Sequence, residues 1–205
     1  MSSSNTQDAE FVTTGRIQPP IRVNFGCGDT RLEGYVGVDI RSCHGADHVL
    51  PAWETSPFAP GSVEEIYSRH MLEHLDPGDA RRALEAWFRV LRPGGQLRLI
   101  VPDLAFHARQ ILGGQTSWTE DPDENLAHAM AGFYGWRNAS RGGDQEDAHR
   151  WGYTLESLRR LLNDIGFVEI RRQESGQDSE PWHLSIKARK PDIEDAGDIA
   201  HRAIG

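Results

Sequence analysis

Two neighbouring stretches near the start of the chain carry residue types that suit a nucleoside-bearing ligand. Gly26, Cys27 and Gly28 form a Gly-x-Gly turn, and Asp39 closes the next apolar stretch. Glycine allows the backbone to approach a ligand where a Cβ would collide, and a carboxylate after the second strand can accept both hydroxyls of a ribose. The spacing therefore predicts a cofactor site, with a tight turn and a surface aspartate as the structural alternative.

The same stretch argues against a dinucleotide cofactor. A nicotinamide or flavin dinucleotide fingerprint requires a third glycine and a helix whose N-terminus faces the pyrophosphate. Position 30 is Thr30, and residues 29–34 are too few for an ordinary crossover helix. The sequence therefore disfavours a pyrophosphate cofactor and predicts a truncated first connection.

The segments that must position these residues alternate between strands and helices. Alternating apolar residues predict a first strand that ends at the glycine turn, and a nearly continuous apolar run predicts a central strand covered on both faces. The predicted strands are 21–25, 35–40, 48–50, 63–67, 97–101, 167–171 and 182–190.

Helix signals separate these strands. Asp76 and Pro77 suit the N-cap and first position of a helix whose apolar residues recur at helical spacing up to Leu91. The other predicted helices lie at about 103–112, at 122–134 and after Thr154. Strands that alternate with helices are typical of a three-layer α/β fold on a mostly parallel sheet, in which ligands bind beyond the carboxyl ends of the strands.

This fold class implies one crevice and one main domain. The glycine turn, Asp39 and the segments after Tyr67 and Val101 are predicted to meet at one edge of the sheet. The domain is predicted to span 20–190, with 104–150 as a substrate-binding or lid insertion because long excursions after a central strand are usually functional. Residues 1–19 are interpreted as a flexible arm and 191–205 as a peripheral tail.

Composition excludes several classes of partner. The 205 residues carry a formal net charge of −9, so no long-range positive field gathers nucleic acid or an anionic membrane. No apolar run approaches the roughly 20 residues that a membrane span needs. Cys27 and Cys43 are too few for a disulfide framework, and both are interpreted as reduced thiols in a cytoplasmic protein. A monomer or homodimer is expected.

Five motifs follow one another in an informative order: VNFGCG, VGVDI, SVEEIYSRHMLEHL, ALEAWFRVLRPGGQLRLIVPDL and HRWGYTLESLRRLLNDIGFVEI. Together they resemble the class I S-adenosylmethionine-dependent methyltransferases, in particular the small methyltransferase-11-like enzymes. The resemblance runs from about residue 21 to 190. It implies a Rossmann-like fold with a seven-stranded sheet, and S-adenosylmethionine as the cofactor, released as S-adenosylhomocysteine.

The resemblance also implies cofactor contacts. The glycine turn would approach the methionyl part of the cofactor, Asp39 would hold the ribose, and Ser68 to His70 would border the methyl-transfer centre. Asn24 stands where the family often has an acidic residue, and Glu54 is the candidate for the acidic residue that contacts adenine. The predicted cofactor-binding residues are Asn24, Gly26, Cys27, Gly28, Asp39, Ile40, Glu54, Ser68 and His70.

Methyl transfer to a hydroxyl is helped by a general base that removes the proton. His149 is the first candidate, with Asp147 placed to orient it or to bind substrate, and His70 is the second. A structural or substrate-binding histidine is the alternative for His149, and packing against the cofactor is the alternative for His70. Glu73 and His74 are interpreted as bracing the fold.

Aromatic and carboxylate side chains in and around the excursion suit a sugar or another polyhydroxylated acceptor, although core packing or helix capping explains some of them. The predicted substrate-binding residues are Asp103, Tyr134, Trp136, Arg137, Trp151 and Tyr153. The sequence thus predicts O-methylation of a small molecule such as a sugar or glycan precursor. The alternatives are N- or C-methylation in natural-product biosynthesis and a non-catalytic binding module. No metal is expected, because no spacing of histidines and carboxylates is diagnostic.

Overall fold

A seven-stranded sheet is the centre of the computed structural model, which describes residues 20–113, 119–136 and 147–192. Its strands are β1 Ile21–Phe25, β2 Val36–Asp39, β3 His48–Val49, β4 Val63–Arg69, β5 Leu91–Pro102, β6 Val168–Arg172 and β7 His183–Arg189. They lie in the order β3-β2-β1-β4-β5-β7-β6. Strands β1 to β5 pair in parallel, whereas β7 is antiparallel to β5 and β6.

Four α-helices flank the sheet in the described part of the chain: α1 Pro77–Val90, α2 Leu104–Ile111, α3 Pro122–Tyr134 and α4 Leu155–Ile165. Helix α1 contacts α4, and α2 contacts α3. Thr154 caps α4 in a reciprocal capping box with Ser157, and Gly166 ends the helix in the left-handed conformation. Asp76 precedes α1 as predicted, but its side chain makes no capping hydrogen bond. The predicted α/β fold class is confirmed.

The core lies between the sheet and the apolar face of α1. The residues predicted to share that face are all fully buried: Ala80, Ala83, Leu84, Trp87 and Leu91. Trp87 stacks on Phe25 of β1 with ring centroids 4.9 Å apart. Burying a large apolar side chain contributes about 1.5–3 kcal/mol, so this contact anchors the strand that carries the glycine turn.

The connection from β1 to β2 contains only turns, so the predicted absence of a first helix is confirmed. Gly26 donates its backbone N–H to Val38 O at 2.8 Å, and Tyr35 donates to Leu32 O at 3.2 Å. The glycine turn therefore folds directly against the end of β2.

Strand β5 starts earlier than the predicted 97–101, because the Pro-Gly-Gly segment continues the strand instead of ending it. Gly94 adopts a φ of +71° and donates to Lys190 O at 3.1 Å. The pairing with β4 shifts register between Val63 and Glu65, which accommodates the extra residues as a bulge.

None of the helices in the described ranges is long and apolar enough to cross a membrane. The predicted arm, 1–19, and all but the first two residues of the predicted tail, 191–205, lie outside the described residues.

Candidate active site

Two cavities open where the carboxyl ends of the parallel strands meet. The smaller has a volume of about 190 Å³ and is bordered by Gly26, Asp39 and Ile40. The larger has a volume of about 540 Å³ and is bordered by the ends of β4 and β5 and by α3. His74 lines both cavities, so they adjoin.

The glycine turn forms one border of the smaller cavity. Gly26 has a φ of +72°, and a Cβ at this position would collide with the side chain of Met71. Gly28, with a φ of +51°, has open space where its Cβ would lie. Both positions therefore require glycine for conformational reasons, and at Gly26 the close approach of Met71 adds a steric one.

Asp39 is held firmly at the end of β2. Its Oδ2 accepts a hydrogen bond from Gly28 N at 2.8 Å, and its Oδ1 accepts one from Arg41 N at 2.9 Å. The side chain is only 7% exposed and borders the cavity. Since each carboxylate oxygen has a second lone pair, this fixed group can still accept two hydroxyls of a sugar ring.

The remaining walls of the smaller cavity are mostly apolar, and Arg82 lies over the Trp53 ring at 5.1 Å. Ile40 is 64% exposed although it borders the cavity. The other apolar lining residues are Val38, Leu50, Pro51, Ala52, Trp53, Met71 and Leu75. An apolar slot beside one fixed carboxylate fits an aromatic base joined to a diol-bearing sugar.

The other predicted cofactor residues lie near this cavity without lining it. Asn24 is buried in β1, and Ser68 is fully buried with an Oγ that has no hydrogen-bond partner in the described residues. Glu54 accepts a hydrogen bond from Ser56 N, so its carboxylate is engaged in its own turn. Burial, with nearby Cys43 and Asp39, raises the pKa of the Cys27 thiol to about 12, which keeps that thiol neutral.

The larger cavity is rich in imidazoles. Six histidines line it: His70, His74, His107, His128, His149 and His183. Burial lowers the pKa of His107 and of His183 to about 4, assisted by His128 and by His70 respectively. These two rings are therefore neutral at pH 7 and act as hydrogen-bonding groups rather than as cations.

His70 stands at the centre of a chain of hydrogen bonds. Its Nδ1 lies 3.0 Å from Glu73 Oε1, and its Nε2 lies 3.0 Å from His183 Nε2. His183 Nδ1 in turn lies 3.0 Å from Glu180 Oε2. A carboxylate can only accept, so Glu73 and Glu180 each hold a proton on the Nδ1 that faces them, and the contact between the two Nε2 atoms requires one further, shared proton. Only the form without that shared proton leaves a lone pair on His70 Nε2.

The backbone of His70 is also unusual. Its φ is +49°, a left-handed conformation that is uncommon for a residue with a Cβ. Its N–H donates to Ile100 O at 2.9 Å, which ties the end of β4 to β5. Such strain is often found where a side chain must be aimed at a functional site.

Glu73 is fully buried below three imidazoles. Burial opposes its ionisation, but the hydrogen bond from His70 and the charges of His70, His74 and His149 lower its pKa. Burial lowers the pKa of His149, against the opposing effect of Glu73. The backbone O of Glu73 accepts from Arg150 N and Trp151 N at 2.8 and 3.1 Å.

The predicted catalytic residues come together. His70, Asp147 and His149 all line the larger cavity. Asp147 Oδ1 lies 3.6 Å from an Arg41 guanidinium nitrogen, and the same guanidinium lies 3.9 Å from Asp39 Oδ1. Arg41 therefore links the carboxylates of the two cavities.

The predicted substrate-binding residues are scattered. Trp136 lines the larger cavity, but Tyr134 is 57% exposed, and Trp151 and Tyr153 line a third cavity of about 290 Å³ with Pro77 and Arg81. Tyr153 is buried, and burial raises the pKa of its phenol. Arg137 lies outside the described residues.

Both carboxylate oxygens of Asp103 accept hydrogen bonds from other parts of the fold. Its Oδ1 accepts from Ala105 N and caps α2, and its Oδ2 accepts from the Arg172 guanidinium at 2.8 Å. The side chain is 2% exposed and is not among the residues that line either cavity.

Several lining residues of the larger cavity were not singled out from the sequence: His107, His128, Glu180, Trp182 and His183. Trp182 and His183 precede or begin β7, which is antiparallel to β5 and pairs Pro102 with His183. The start of an antiparallel strand lies at the edge where parallel strands end. Strand β7 was predicted from the sequence, but its antiparallel direction was not. Knowing that direction would have placed Trp182 and His183 at the site.

A family model described as a methyltransferase domain matches residues 23–171. No curated protein sequence matches the chain.

Solved structures share the fold at low sequence identity. A SAM-dependent methyltransferase from Methanosarcina mazei aligns with a TM-score of 0.55 and 19% identity over 91% of this chain and 100% of that chain. One from Archaeoglobus fulgidus aligns with a TM-score of 0.55 and 18% identity over 84% and 87%. The 1,6-didemethyltoxoflavin-N1-methyltransferase of Burkholderia thailandensis, solved with its substrate and S-adenosylhomocysteine, aligns with a TM-score of 0.52 and 17% identity over 84% and 72%.

Proposed function

The chain belongs to the methyltransferase domain family, and from that premise we propose that it methylates a hydroxyl group of a sugar or glycan precursor. It is an S-adenosylmethionine-dependent methyltransferase. The observation that carries the proposal is the pair of adjoining cavities: an apolar one with a fixed carboxylate, and a larger polar one, with His74 in the wall of both.

The smaller cavity suits the adenosyl part of the cofactor. Asp39 would accept the ribose hydroxyls, and the apolar walls around Trp53 would pack against the adenine. Gly26 and Gly28 leave the backbone beside this cavity free of side chains. When bound, S-adenosylmethionine supplies a methyl group on a sulfonium and leaves as S-adenosylhomocysteine with the electron pair of the broken carbon–sulfur bond.

The larger cavity suits a polyhydroxylated acceptor. Its volume lies within the 300–1,000 Å³ of typical small-molecule sites, and its imidazoles, Arg69, Asp147 and Glu180 offer donors and acceptors. Trp136 and Trp182 supply flat apolar faces of the kind that pack against a sugar ring. Holding the acceptor hydroxyl in line with the methyl group supplies much of the rate enhancement in such a transfer.

His70 is the general base in this proposal. His70 lines the larger cavity and its side chain is 32% exposed, whereas the His149 side chain is 9% exposed. Glu73 acts as a positioning residue, because its hydrogen bond holds the tautomer of His70. His70 Nε2 would take the hydroxyl proton as the oxygen forms its bond to the methyl carbon, and His149 would contact the acceptor.

A turnover screen tests the acceptor class. The purified protein is incubated with S-adenosylmethionine and with nucleotide sugars, amines or phenols, and release of S-adenosylhomocysteine is measured. Turnover with a sugar hydroxyl is the expected result. Turnover with amines or carbon acids alone would show N- or C-methylation instead of O-methylation. Absence of cofactor binding in calorimetry would overturn the proposed function.

Replacing the base tests the mechanism. His70→Ala is expected to lower turnover about 10²- to 10⁴-fold, the usual contribution of a general base, while cofactor affinity stays within about threefold. The matched control is His44→Ala, because His44 is exposed and lines neither cavity. Unchanged turnover in His70→Ala would assign the base elsewhere, with His149 next in order.

A further inference from the structure

Glu73, His74 and His149 form a cluster of potential metal ligands, and the proposed reaction does not require them to lie so close together. One ligand atom from each of the three residues lies within 4.8 Å of those of the other two. We propose that this cluster binds a divalent transition metal ion, and that the ion holds the oxygen atom of the methyl acceptor. The second half of this inference rests on the proposed function, whereas metal binding itself does not.

The two imidazoles are oriented as metal ligands are. His74 Nδ1 lies 3.3 Å from Ala148 O, and His149 Nδ1 lies 3.1 Å from Gly132 O. A backbone carbonyl only accepts, so each Nδ1 carries the proton and each Nε2 keeps a lone pair. Metal-binding histidines almost always donate their other ring N–H to a carbonyl or carboxylate in this way.

Glu73 supplies a carboxylate with one unused oxygen. Its Oε1 lies 3.0 Å from His70 Nδ1, whereas Oε2 is buried without a hydrogen-bond partner among the described residues. The residue is 0% exposed. Leaving a buried charged oxygen unpaired is unfavourable, and a bound cation would pair with it.

The spacing suits a metal ion. Two ligand atoms about 2.1 Å from one ion lie roughly 3–4 Å apart. His149 Nε2 lies 3.9 Å from Glu73 Oε1, within this range, and the unpartnered Oε2 belongs to the same carboxylate. Two imidazoles with one carboxylate suit zinc, iron, cobalt or manganese, and three protein ligands leave positions open for water or substrate.

Two other clusters of potential ligands are weaker candidates. In Cys27, Asp39 and Cys43, the carboxylate already accepts from Gly28 N and Arg41 N. In Asp178, Glu180 and His183, the Asp178 carboxylate accepts from Tyr67 and Arg69. Among the described residues, the unpartnered carboxylate oxygen therefore distinguishes the Glu73 cluster.

The position of the cluster indicates what an ion would do there. His74 and His149 both line the larger cavity, so open coordination positions would face the acceptor. Coordination lowers the pKa of an oxygen ligand, which makes it easier for His70 Nε2 to take the hydroxyl proton. An electron pair on the acceptor oxygen then forms the new bond to the methyl carbon as the bond between that carbon and the sulfonium sulfur breaks. An acceptor with a second oxygen beside the first would fill a further position, so vicinal diols are the expected substrate class.

Cobalt binding tests the site directly. Untagged protein is stripped with a chelator and titrated with Co²⁺, and visible absorption reports ligation. One Co²⁺ per chain is expected, displaced by Zn²⁺. His149→Ala and His74→Ala should each weaken Co²⁺ affinity at least about tenfold, since even loss of a supporting residue typically costs 10- to 100-fold. His74→Gln serves where an alanine variant fails to fold.

Two controls separate the alternatives. His183→Ala removes an imidazole from the same cavity but from the other cluster, and His44→Ala removes an exposed one; both should keep the Co²⁺ affinity. No bound Co²⁺ in the folded wild type, or a loss in His183→Ala equal to that in His149→Ala, would overturn the site. Calorimetry of the metal-free protein with S-adenosylmethionine keeps the two outcomes distinct: absence of cofactor binding would overturn the proposed function and the acceptor-binding role of the ion, but not metal binding itself.

Discussion

The two cavities of this protein are built in opposite ways. The smaller one is made largely from residues close together in the sequence, between Gly26 and Trp53, and its key contacts involve backbone N–H groups. The larger one collects side chains from the ends of β4 and β5, from α2 and α3, from residues 147–149 and from the start of β7. A common cofactor can be held by a local motif, whereas a particular acceptor requires side chains brought together by the fold.

Asp39 should produce the largest effect on the cofactor side. Asp39→Ala removes a charged acceptor, worth about 1.5–3 kcal/mol, so affinity for S-adenosylmethionine should fall roughly 10- to 150-fold in calorimetry. The matched control is Asp47→Ala, whose carboxylate holds Gly37 N and Arg31 but borders neither cavity. Equal losses in both variants would show that Asp39 acts through the fold instead of through the ribose.

Trp136 and Trp151 test the acceptor side. Trp136 lines the larger cavity and Trp151 does not, although the sequence placed both in the substrate site. Loss of an aromatic contact worth about 0.5–1.5 kcal/mol predicts an increase in acceptor KM of roughly 2- to 10-fold in Trp136→Ala. In Trp151→Ala, KM should stay within about twofold, and the cofactor Kd should be unchanged in both. A larger effect in Trp151→Ala would mean that the acceptor binds across the outer surface.

The smallest expected effect is the contribution of His107 to the pH dependence of the free energy of unfolding. Because burial lowers the pKa of His107 to about 4, the folded state stays neutral at pH values where the unfolded histidine, with a pKa near 6.5, binds a proton. The free energy of unfolding therefore decreases as the pH falls from 7 to 6, by on the order of 0.5 kcal/mol from this residue. Denaturant unfolding of His107→Gln should show a smaller decrease than wild type over that range.

The control for this measurement is His44→Gln, which replaces an exposed histidine and should leave the pH dependence unchanged. His183 is also neutral in the folded state, because burial lowers its pKa to about 4, so part of the wild-type decrease should remain in His107→Gln. An unchanged slope in His107→Gln would show that this ring binds protons equally in the folded and unfolded states, which would contradict the lowered pKa.

Much of the fold followed from local patterns. The face of α1 that ends at Trp87, the Thr154 cap of α4 and the missing first helix were all predicted, because each depends on neighbouring residues. The start of β5 was not predicted, because a Pro-Gly-Gly segment usually ends a strand in sequence patterns. In the structure a bulge and the hydrogen bond from Gly94 to Lys190 keep this segment in the strand.

The site divides along the same line. Gly26 and Asp39 could be identified because spacing along one short segment determines their neighbourhood, and the motifs of the family add to that signal. Glu73 and His74 were interpreted as bracing residues because they lead into the next helix, and no metal was expected because no spacing of histidines and carboxylates is diagnostic; His149 is far from both in sequence. The tertiary structure brings the three within ligand distance, where burial leaves one oxygen of Glu73 unpartnered among the described residues.

The sequence by itself therefore determined the fold class, the glycine turn, Asp39 and the kind of cofactor they suit, because short-range geometry and hydrophobic periodicity are local properties. Only the tertiary structure decided which histidines share a cavity, which ring nitrogens face a carbonyl or carboxylate oxygen, and which buried carboxylate oxygen has no partner among the described residues. These features depend on strand direction, packing and burial, all of which arise when distant segments meet.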